Sequence, residues 1–566
     1  MLKLEIETKL STYLSIGTFA VTVFLLANTN TDPVNVTKLF VLGGVAMAVF
    51  AVILVFAQKA LFENYRPVLI AVLIFDLLMV FSSFLSKAPF TQNYFGAFGR
   101  NNGLLTYFLF SLILVASTLL TKLESFEKVF YGLFAAGLLN ILYCGWVLVF
   151  GDFIPWNNPY GNILGLFGNP DFISAFLGIF IAGSLAFVVT HKSSRTQRIV
   201  LILASLLALY EIMKSHAIQG LVVTAGGIAI VGFYFLRSRF NNQLIAYLYA
   251  TAVTILGVVA VFGTLQKGPL SFVYKRSVSL RGSYWKTGIE IGKTHPLTGI
   301  GLDTYGDWYR RARPPVALID TPGINTVSNV SHNVVIDFFA SGGFPLLLSY
   351  FAILAVGILS IIRVTARRRE YDRVFVGLTA VWLCYQVQSF ISINQIGLAI
   401  WGWLFTGLLV AYEHSTRFGL QKSALESSKK VNNRAKMKAS VLTPQLVAGI
   451  GLVIGLLVAL PPLSADVKWY NATKSRDVAR VEEALTPNVF NPADSYRYAQ
   501  AVNLLQSSNL LDLALKYALI AVKFNPDYSD AWKELYLLPN ASVSEKAQAL
   551  ANMKRLDPKN PDVTAN

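Results

Sequence analysis

The sequence predicts an all-α, polytopic membrane protein with about thirteen transmembrane helices and a small soluble α-helical repeat domain at its C-terminus. Its 566 residues are 54% hydrophobic and only 14% charged, whereas a soluble domain usually carries about 25% charged residues. Apolar runs recur from Leu10 to about Leu460, and several exceed the roughly 18 residues that indicate a membrane span. The segment that follows them is polar and contains an internal repeat.

The transmembrane part is predicted to cover residues 1–463. No small-residue cleavage site follows the first apolar run, which indicates a first span rather than a cleavable signal peptide. The long tenth run is compatible with a short interfacial helix followed by a span. The predicted spans lie near residues 11–27, 38–57, 67–85, 103–120, 128–150, 171–190, 199–213, 218–236, 245–264, 333–362, 374–391, 396–412 and 441–460.

The Lys and Arg residues of the short loops predict the orientation of these spans. With the N-terminus in the cytoplasm, most of these residues fall inside, among them Arg367, Arg368 and Arg369 and the basic cluster from Lys429 to Lys438. We therefore expect a multi-pass protein of the cytoplasmic (inner) membrane with an extracytoplasmic C-terminal domain. The net charge of +17 follows largely from this topology, so it gives no argument for a nucleic-acid partner.

The segment 265–332 is a long extracytoplasmic loop that breaks the short-loop pattern. It carries nine basic and four acidic residues, and exporting so basic a loop runs against the usual bias, so the charges indicate a use. Arg donates bidentate hydrogen bonds to phosphates, aromatic rings suit sugar faces, and His accepts protons near neutral pH. Such side chains are concentrated here, which favours chemistry on a phosphate-linked glycan: Arg276, Arg281, Trp285, Arg310, Arg311, His332 and Asn333.

The C-terminal segment 464–566 is predicted to be a helical repeat domain. The stretch from Asn491 to Tyr496 recurs from Asn525 to Asp530, and the offset of 34 residues is the tetratricopeptide period. A weaker third mark runs from Asp557 to Asn560. Such repeats usually bind a protein partner, and a purely structural cap is the alternative.

The loop motifs resemble those of the O-antigen ligase and O-antigen polymerase superfamily of bacterial membrane glycosyltransferases, over most of the membrane part. The core of the resemblance is Arg281-x-x-x-Trp285, the turn from His295 to Gly301, and Ser331-His332-Asn333 followed by Gly343. Two upstream pieces are also similar to family motifs: Gly99-Arg100-Asn101-Asn102-Gly103 and Phe167-Gly168-Asn169-Pro170-Asp171.

The resemblance implies a GT-C-type enzyme that moves a glycan from undecaprenyl diphosphate to an acceptor hydroxyl on the outer face, without a metal or other cofactor. The sequence agrees, since we find no Asp-x-Asp in any outside segment. The implied partners are a lipid-linked glycan donor, membrane lipid, and a glycolipid acceptor such as a lipopolysaccharide core. Protein O-oligosaccharyltransferase and glycan polymerase activities remain alternatives within the family. An alternative of another class is a transporter or flippase for a lipid-linked sugar.

Site roles follow from the same resemblance. Arg281 is expected to hold the diphosphate, His332 to deprotonate the acceptor, and Arg100 to be a second phosphate contact. The family's Ser-Arg-Gly element is missing between the seventh and eighth spans, where Lys214 or His216 could supply a positive charge. Substrate contacts are further expected from Arg276, Arg310, Arg311, Trp285 and Asn333.

Structural readings of these residues stay open at this point. Arg281 could instead be an interfacial residue paired with Asp303 or Asp307. Ser331 could serve as the cap of the next helix, with His332 only its neighbour. The cluster Arg310, Arg311 and Arg313 could hold either donor phosphate or anionic lipid.

Overall fold

The computed structural model describes residues 4–190, 193–264, 266–271, 276–320, 323–417, 442–475 and 477–564. The basic cluster from Lys429 to Lys438 and the side chain of Arg276 lie outside the described residues. Within the described ranges the regular secondary structure is helical, apart from one isolated bridge between Asn488 and Asn491. The predicted all-α class is therefore confirmed.

Every predicted span coincides with a helix. Among the described residues, ten helices are long and apolar enough to cross a membrane, and three more (α1, α6 and α16 below) fall short in length or apolarity. The polytopic architecture is thus confirmed. The thirteen helices are α1 Leu4–Val23, α2 Asn35–Phe56, α4 Arg66–Leu85, α6 Leu104–Ser117, α7 Leu123–Phe150, α8 Pro170–Val188, α9 Arg195–Lys214, α10 Ile218–Arg239, α11 Gln243–Thr264, α15 Val334–Arg367, α16 Arg373–Ser389, α17 Ile396–Arg417 and α18 Pro444–Ser475.

Shorter helices lie between them. The helix α3 Gln58–Asn64 joins α2 to α4, and the others belong to loops that the sequence assigns to the outside: α5 Phe90–Phe95, α12 Arg276–Thr294, α13 Tyr305–Ala312 and α14 Ala317–Asp320. The helix α12 packs tightly on α15, because a Cβ built on Gly288 or Gly292 would lie 2.4–2.5 Å from a side chain of α15.

Polar contacts sort the loops into two groups, one at each end of the helix bundle. At one end the Glu7 carboxylate accepts from the backbone N–H of Lys122 at 2.7 Å, and Arg373 pairs with Glu127 at 2.6 Å. At the other end Asp466 accepts from backbone N–H groups of the loop before α2. The first group consists of segments that the sequence assigns to the inside, and the second of segments assigned to the outside. We call the second group the repeat-domain end.

A break divides α15 into a short and a long part, as the sequence predicts for the tenth run. Gly343 has φ +64° and ψ −162°, a conformation that is essentially restricted to glycine. The interrupted helix leaves carbonyl groups without helical partners, and the turn 295–301 supplies donors, with Ile300 N–H donating to the Ala340 carbonyl at 3.1 Å. The turn 295–301 therefore holds the beginning of α15 in place.

The segment 464–566, which the sequence assigns to a repeat domain and which we call the repeat domain, begins within the last turns of α18. Each of the three sequence marks leads into a helix, and the first two marks include its first two residues. Buried aromatic residues such as Tyr498, Tyr517 and Trp532 form the core of the domain. The tetratricopeptide assignment stays a prediction. The helices of the domain are α19 Val478–Leu485, α20 Ser495–Ser507, α21 Leu511–Phe524, α22 Ser529–Leu537, α23 Val543–Leu556 and α24 Pro561–Thr564.

Candidate functional site

His332 lies at the end of the long loop, at the repeat-domain end of the bundle. Its φ of +57° is left-handed, an uncommon conformation for a residue other than glycine. Trp285 Nε1 donates to the His332 carbonyl at 3.4 Å, and the imidazole Nδ1 lies 3.3 Å from the Val330 carbonyl oxygen. A proton on Nδ1 directed at that carbonyl leaves the Nε2 lone pair available to accept another proton. The contact of Trp285 is with the backbone of His332, so its expected contact with substrate stays a prediction.

Asn333, rather than Ser331, caps α15. The Asn333 side-chain oxygen accepts from the backbone N–H of Val335 at 3.0 Å, and its amide nitrogen donates to the Phe390 carbonyl at 2.9 Å. The Ser331 N–H donates instead to the Asp337 carboxylate at 2.7 Å. The alternative with Ser331 as the cap is therefore wrong. Both ends of the Asn333 amide have partners in the protein, and its expected contact with substrate stays a prediction.

Arg281 on α12 is paired with Asp171, in the first turn of α8. The guanidinium nitrogen and the carboxylate oxygen lie 3.0 Å apart, and the Arg281 side chain is 16% exposed. The partner of Arg281 in the structure is therefore Asp171 of the Gly-Asn-Pro-Asp turn, and not Asp303 or Asp307, which were considered from the sequence. A guanidinium has five N–H donors, and Asp171 takes only one of them here.

Arg100 stands on a loop that Asp303 organises. The Asp303 carboxylate accepts from the backbone N–H groups of Ala97 at 2.7 Å and Asn102 at 3.1 Å. Burial raises the pKa of Asp303 to about 6, against the opposite effects of these two hydrogen bonds and of the Arg100 charge. Arg100 Nε is buried and has no hydrogen-bond partner among the described residues. This carboxylate was missed as a site residue because its contacts span some 200 positions, which no local pattern reveals.

The charges of both arginines act on His332. Its pKa is lowered to about 3, first by burial, then by the charges of Arg100 and Arg281, with the Val330 carbonyl acting in the opposite direction. The imidazole is therefore neutral at physiological pH. The geometry gathers one neutral base and two guanidinium groups within electrostatic reach of one another, which is an arrangement suited to an anion next to a group that gains or loses a proton.

Arg310 and Arg311, expected to contact substrate, face the repeat domain. Arg310 pairs with Asp530 at 2.8 Å and Arg311 with Asp527 at 3.1 Å. The Arg311 guanidinium also stacks on Trp308, 3.9 Å from the ring centroid. Both arginines therefore have partners in the chain's own C-terminal domain, and their expected contact with substrate stays a prediction.

The third arginine of this cluster is the most deeply buried. Arg313 donates to both oxygens of Asp557, at 2.6 and 2.8 Å, and both side chains are at most 1% exposed. Asp527 and Asp557 belong to the sequence marks of the repeat domain. The marks therefore have a second use beyond beginning helices, since they hold the domain on the long loop.

Lys214 is the last residue of α9 and His216 lies in the turn before α10, and both are exposed. A Cβ built on Gly220, one turn further on, would come within 2.6 Å of the Ser174 carbonyl oxygen in the first turns of α8. The turn is thus at the same end of the bundle as Asp171. The predicted contact of Lys214, His216 and Arg276 with substrate stays a prediction.

A cavity of about 350 Å³ opens beside Arg100. Its walls come from the Arg100 loop, from α13 and from the turns that precede α20 and α22 in the repeat domain. Within the described ranges, no group of three or more His, Cys, Asp or Glu side chains is arranged to bind a metal ion. The fixed positive charge that the described residues bring close to His332 belongs to Arg100 and Arg281.

Residues 204–351 match the family model described as O-Antigen ligase. This region contains Arg281 and His332 but neither Arg100, Asp171 nor the repeat domain. The match supports a relationship to the O-antigen ligase superfamily and a membrane glycan-transfer function. A search of curated proteins found no match.

Proposed function

We propose that this protein transfers a glycan from undecaprenyl diphosphate to an acceptor hydroxyl at the extracytoplasmic face of the bacterial cytoplasmic membrane. One observation carries the proposal: His332 is neutral and lies under the influence of the Arg100 and Arg281 charges. Two of these three residues fall within the region that matches the O-antigen ligase model. The repeat-domain end of the bundle, where all three lie, corresponds to the outside in the orientation expected from the charge distribution.

The proposed reaction needs no metal. The acceptor hydroxyl gives its proton to His332 Nε2, and its oxygen forms a bond to the anomeric carbon of the donor sugar. The bond between that carbon and the diphosphate oxygen breaks, and undecaprenyl diphosphate leaves with the electron pair. Negative charge grows on the leaving diphosphate, where Arg281 and Arg100 are already in place, so their attraction increases towards the transition state.

The low pKa of His332 is part of this proposal. An imidazole with a pKa of about 3 is a weak base, and two guanidinium charges contribute to that weakness. A bound diphosphate neutralises those charges and thereby raises the pKa of His332. The donor thus prepares the base that activates the acceptor, and His332 gains basicity only in the complex.

The test compares purified full-length wild type with Arg281→Ala and Arg100→Ala in detergent. A radiolabelled undecaprenyl-diphosphate oligosaccharide serves as donor, and a membrane extract serves as acceptor source. We expect both variants to lose transfer by 100-fold or more, whereas Lys286→Ala, which alters an exposed residue of α12, keeps it. Full transfer by both arginine variants contradicts the proposal. Movement of the intact donor across a vesicle membrane, without cleavage of the bond between sugar and diphosphate, favours the transporter alternative.

A further inference from the structure

The cavity beside Arg100 is shared between the membrane part and the repeat domain. Arg100, Asp307 and Asn329 line it from one side, and Asp494, Tyr496 and Tyr528 line it from the other. Arg100 also acts on the pKa of His332. The cavity therefore begins beside Arg100, at the candidate diphosphate site, and extends under the repeat domain.

The cavity is lined by groups of the kind that bind uncharged polar molecules. Among the described residues, none hydrogen-bonds the Tyr528 hydroxyl. The Asp494 Oδ1 accepts from the Arg497 N–H at 2.9 Å, and its Oδ2 remains available to accept from a ligand. Phe98 and Tyr496 stack with their ring centroids 4.8 Å apart. A hydroxyl and a carboxylate beside an aromatic pair offer hydrogen-bond partners for sugar hydroxyls and an apolar surface for sugar C–H groups.

The walls carry an excess of negative charge. Four carboxylates line the cavity, from Asp303, Asp307, Asp494 and Asp530, against two guanidinium groups, from Arg100 and Arg310. Arg310 is already paired with Asp530 at 2.8 Å. Because like charges brought together on binding cost free energy, this surface discriminates against an anionic ligand.

We propose that this cavity is the acceptor subsite and that the acceptor it takes is an uncharged saccharide. The inference rests on the proposed function, since it assigns the second substrate of the same reaction. The repeat domain then acts as one wall of the substrate site, and Tyr528 and Asp494 hydrogen-bond the acceptor sugar while its reacting hydroxyl points towards His332.

The test measures saccharide binding to the full-length protein in lipid nanodiscs by saturation-transfer NMR. The probes are N,N′-diacetylchitobiose, which is uncharged, and a hyaluronan disaccharide, which carries a carboxylate. Tyr528→Phe removes only a hydroxyl, and Asp494→Asn removes a charge but keeps a good helix cap. Tyr536→Phe and Asp512→Asn are the matched controls, because both residues belong to the same domain but do not line the cavity.

We expect wild type and both controls to bind diacetylchitobiose alike, and each cavity variant to bind it about tenfold more weakly. The charged disaccharide should bind wild type at least tenfold more weakly than the uncharged one. Equal binding by cavity variants and controls, stronger binding of the charged disaccharide, or binding of a Ser/Thr peptide in place of either sugar overturns the inference.

Binding of undecaprenyl diphosphate to the same samples separates the two proposals. Arg281→Ala should lose this binding, and Tyr528→Phe should retain it. If Arg281→Ala binds the diphosphate as wild type does, the proposed function fails. If Arg281→Ala loses diphosphate binding but Tyr528→Phe and Asp494→Asn bind the saccharide as wild type does, the acceptor subsite is contradicted and the donor site is not.

Discussion

The Arg281 guanidinium and the Asp171 carboxylate are separated by 110 positions in the chain and lie 3.0 Å apart. Asp171 is held in the first turn of α8, where its N–H donates to the Asn169 side chain at 2.8 Å. The pair links the Gly-Asn-Pro-Asp turn to α12 and fixes the direction of the guanidinium, and among the described residues Asp171 takes only one of its donors. Asp171 is therefore a positioning residue for Arg281.

Replacing Asp171 with Asn should weaken donor binding without unfolding the protein. The Asp171 side chain is 41% exposed, and an ion pair this accessible contributes at most about 1 kcal/mol to stability. Loss of the charged partner frees the Arg281 side chain, so we expect the KM for the lipid-linked donor to rise about tenfold, with kcat changed less. Glu290→Gln, at an exposed position of α12, is the control. An unchanged donor KM in the Asp171 variant counts against the positioning role.

The protonation of His332 should depend on the donor. NMR of histidine-labelled protein, with His332→Gln to assign the resonance, should find His332 neutral down to about pH 4, in line with its pKa of about 3. Adding undecaprenyl diphosphate should move the midpoint upwards by at least one pH unit, because the anion cancels the Arg100 and Arg281 charges. A midpoint near 6.5 in the free protein, or one indifferent to diphosphate, speaks against this coupling.

The break in α15 should tolerate no side chain at Gly343. A Cβ there would lie 2.3 Å from the Pro296 carbonyl oxygen, and the backbone conformation alone costs other residues about 1–3 kcal/mol. We expect Gly343→Ala to lower the melting temperature by several degrees and to reduce transfer, because the turn 295–301 can then no longer pack against the break in α15. Gly226→Ala in α10, where a Cβ meets nothing within 4 Å, should be neutral or stabilising. Equal melting temperatures for the two variants would argue against this account of the break.

The buried pair of Arg313 and Asp557 should hold the repeat domain in place. Among the described residues, removing Arg313 leaves the buried Asp557 carboxylate with only the Asn560 amide at 3.0 Å and Arg310 at 4.0 Å, and losing one partner of a buried pair costs about 3–5 kcal/mol. Arg313→Ala should therefore speed backbone hydrogen exchange in α22 to α24 while the transmembrane helices remain protected. The control is Arg480→Ala, since the pair of Arg480 with Asp477 is 3.7 Å long and more than half exposed. Similar exchange in both variants would mean that docking does not depend on the buried pair.

The membrane architecture could be predicted from the sequence because a span is a local property. Long apolar runs and the loop charges are each recognised within one segment. The unusual length of the tenth run also indicated a short helix followed by a span, although it did not place the break at Gly343. Arg281 and His332 were also singled out, since short motifs carry them, and their roles stay predictions. Their shared electrostatic environment depends on burial and on Arg100, which no window of sequence contains.

The protein partners of Arg310 and Arg311 could not be predicted. The sequence assigned both residues to substrate because arginines in a loop suit phosphates, and the structure adds ion pairs with Asp530 and Asp527, in a domain more than 200 positions away. These pairs depend on the packing of the repeat domain on the long loop. That packing results from the summed contacts of two surfaces, which no local pattern reveals.

The most direct test of the central claim is glycan transfer by wild type and His332→Gln in the presence of EDTA. The assay uses the radiolabelled undecaprenyl-diphosphate oligosaccharide and the acceptor extract, with donor binding measured in the same samples. We predict that wild type transfers label without a metal, and that His332→Gln binds the donor but transfers at least 100-fold more slowly. Transfer by His332→Gln at the wild-type rate, or complete loss of wild-type transfer with EDTA that added metal restores, would contradict the account.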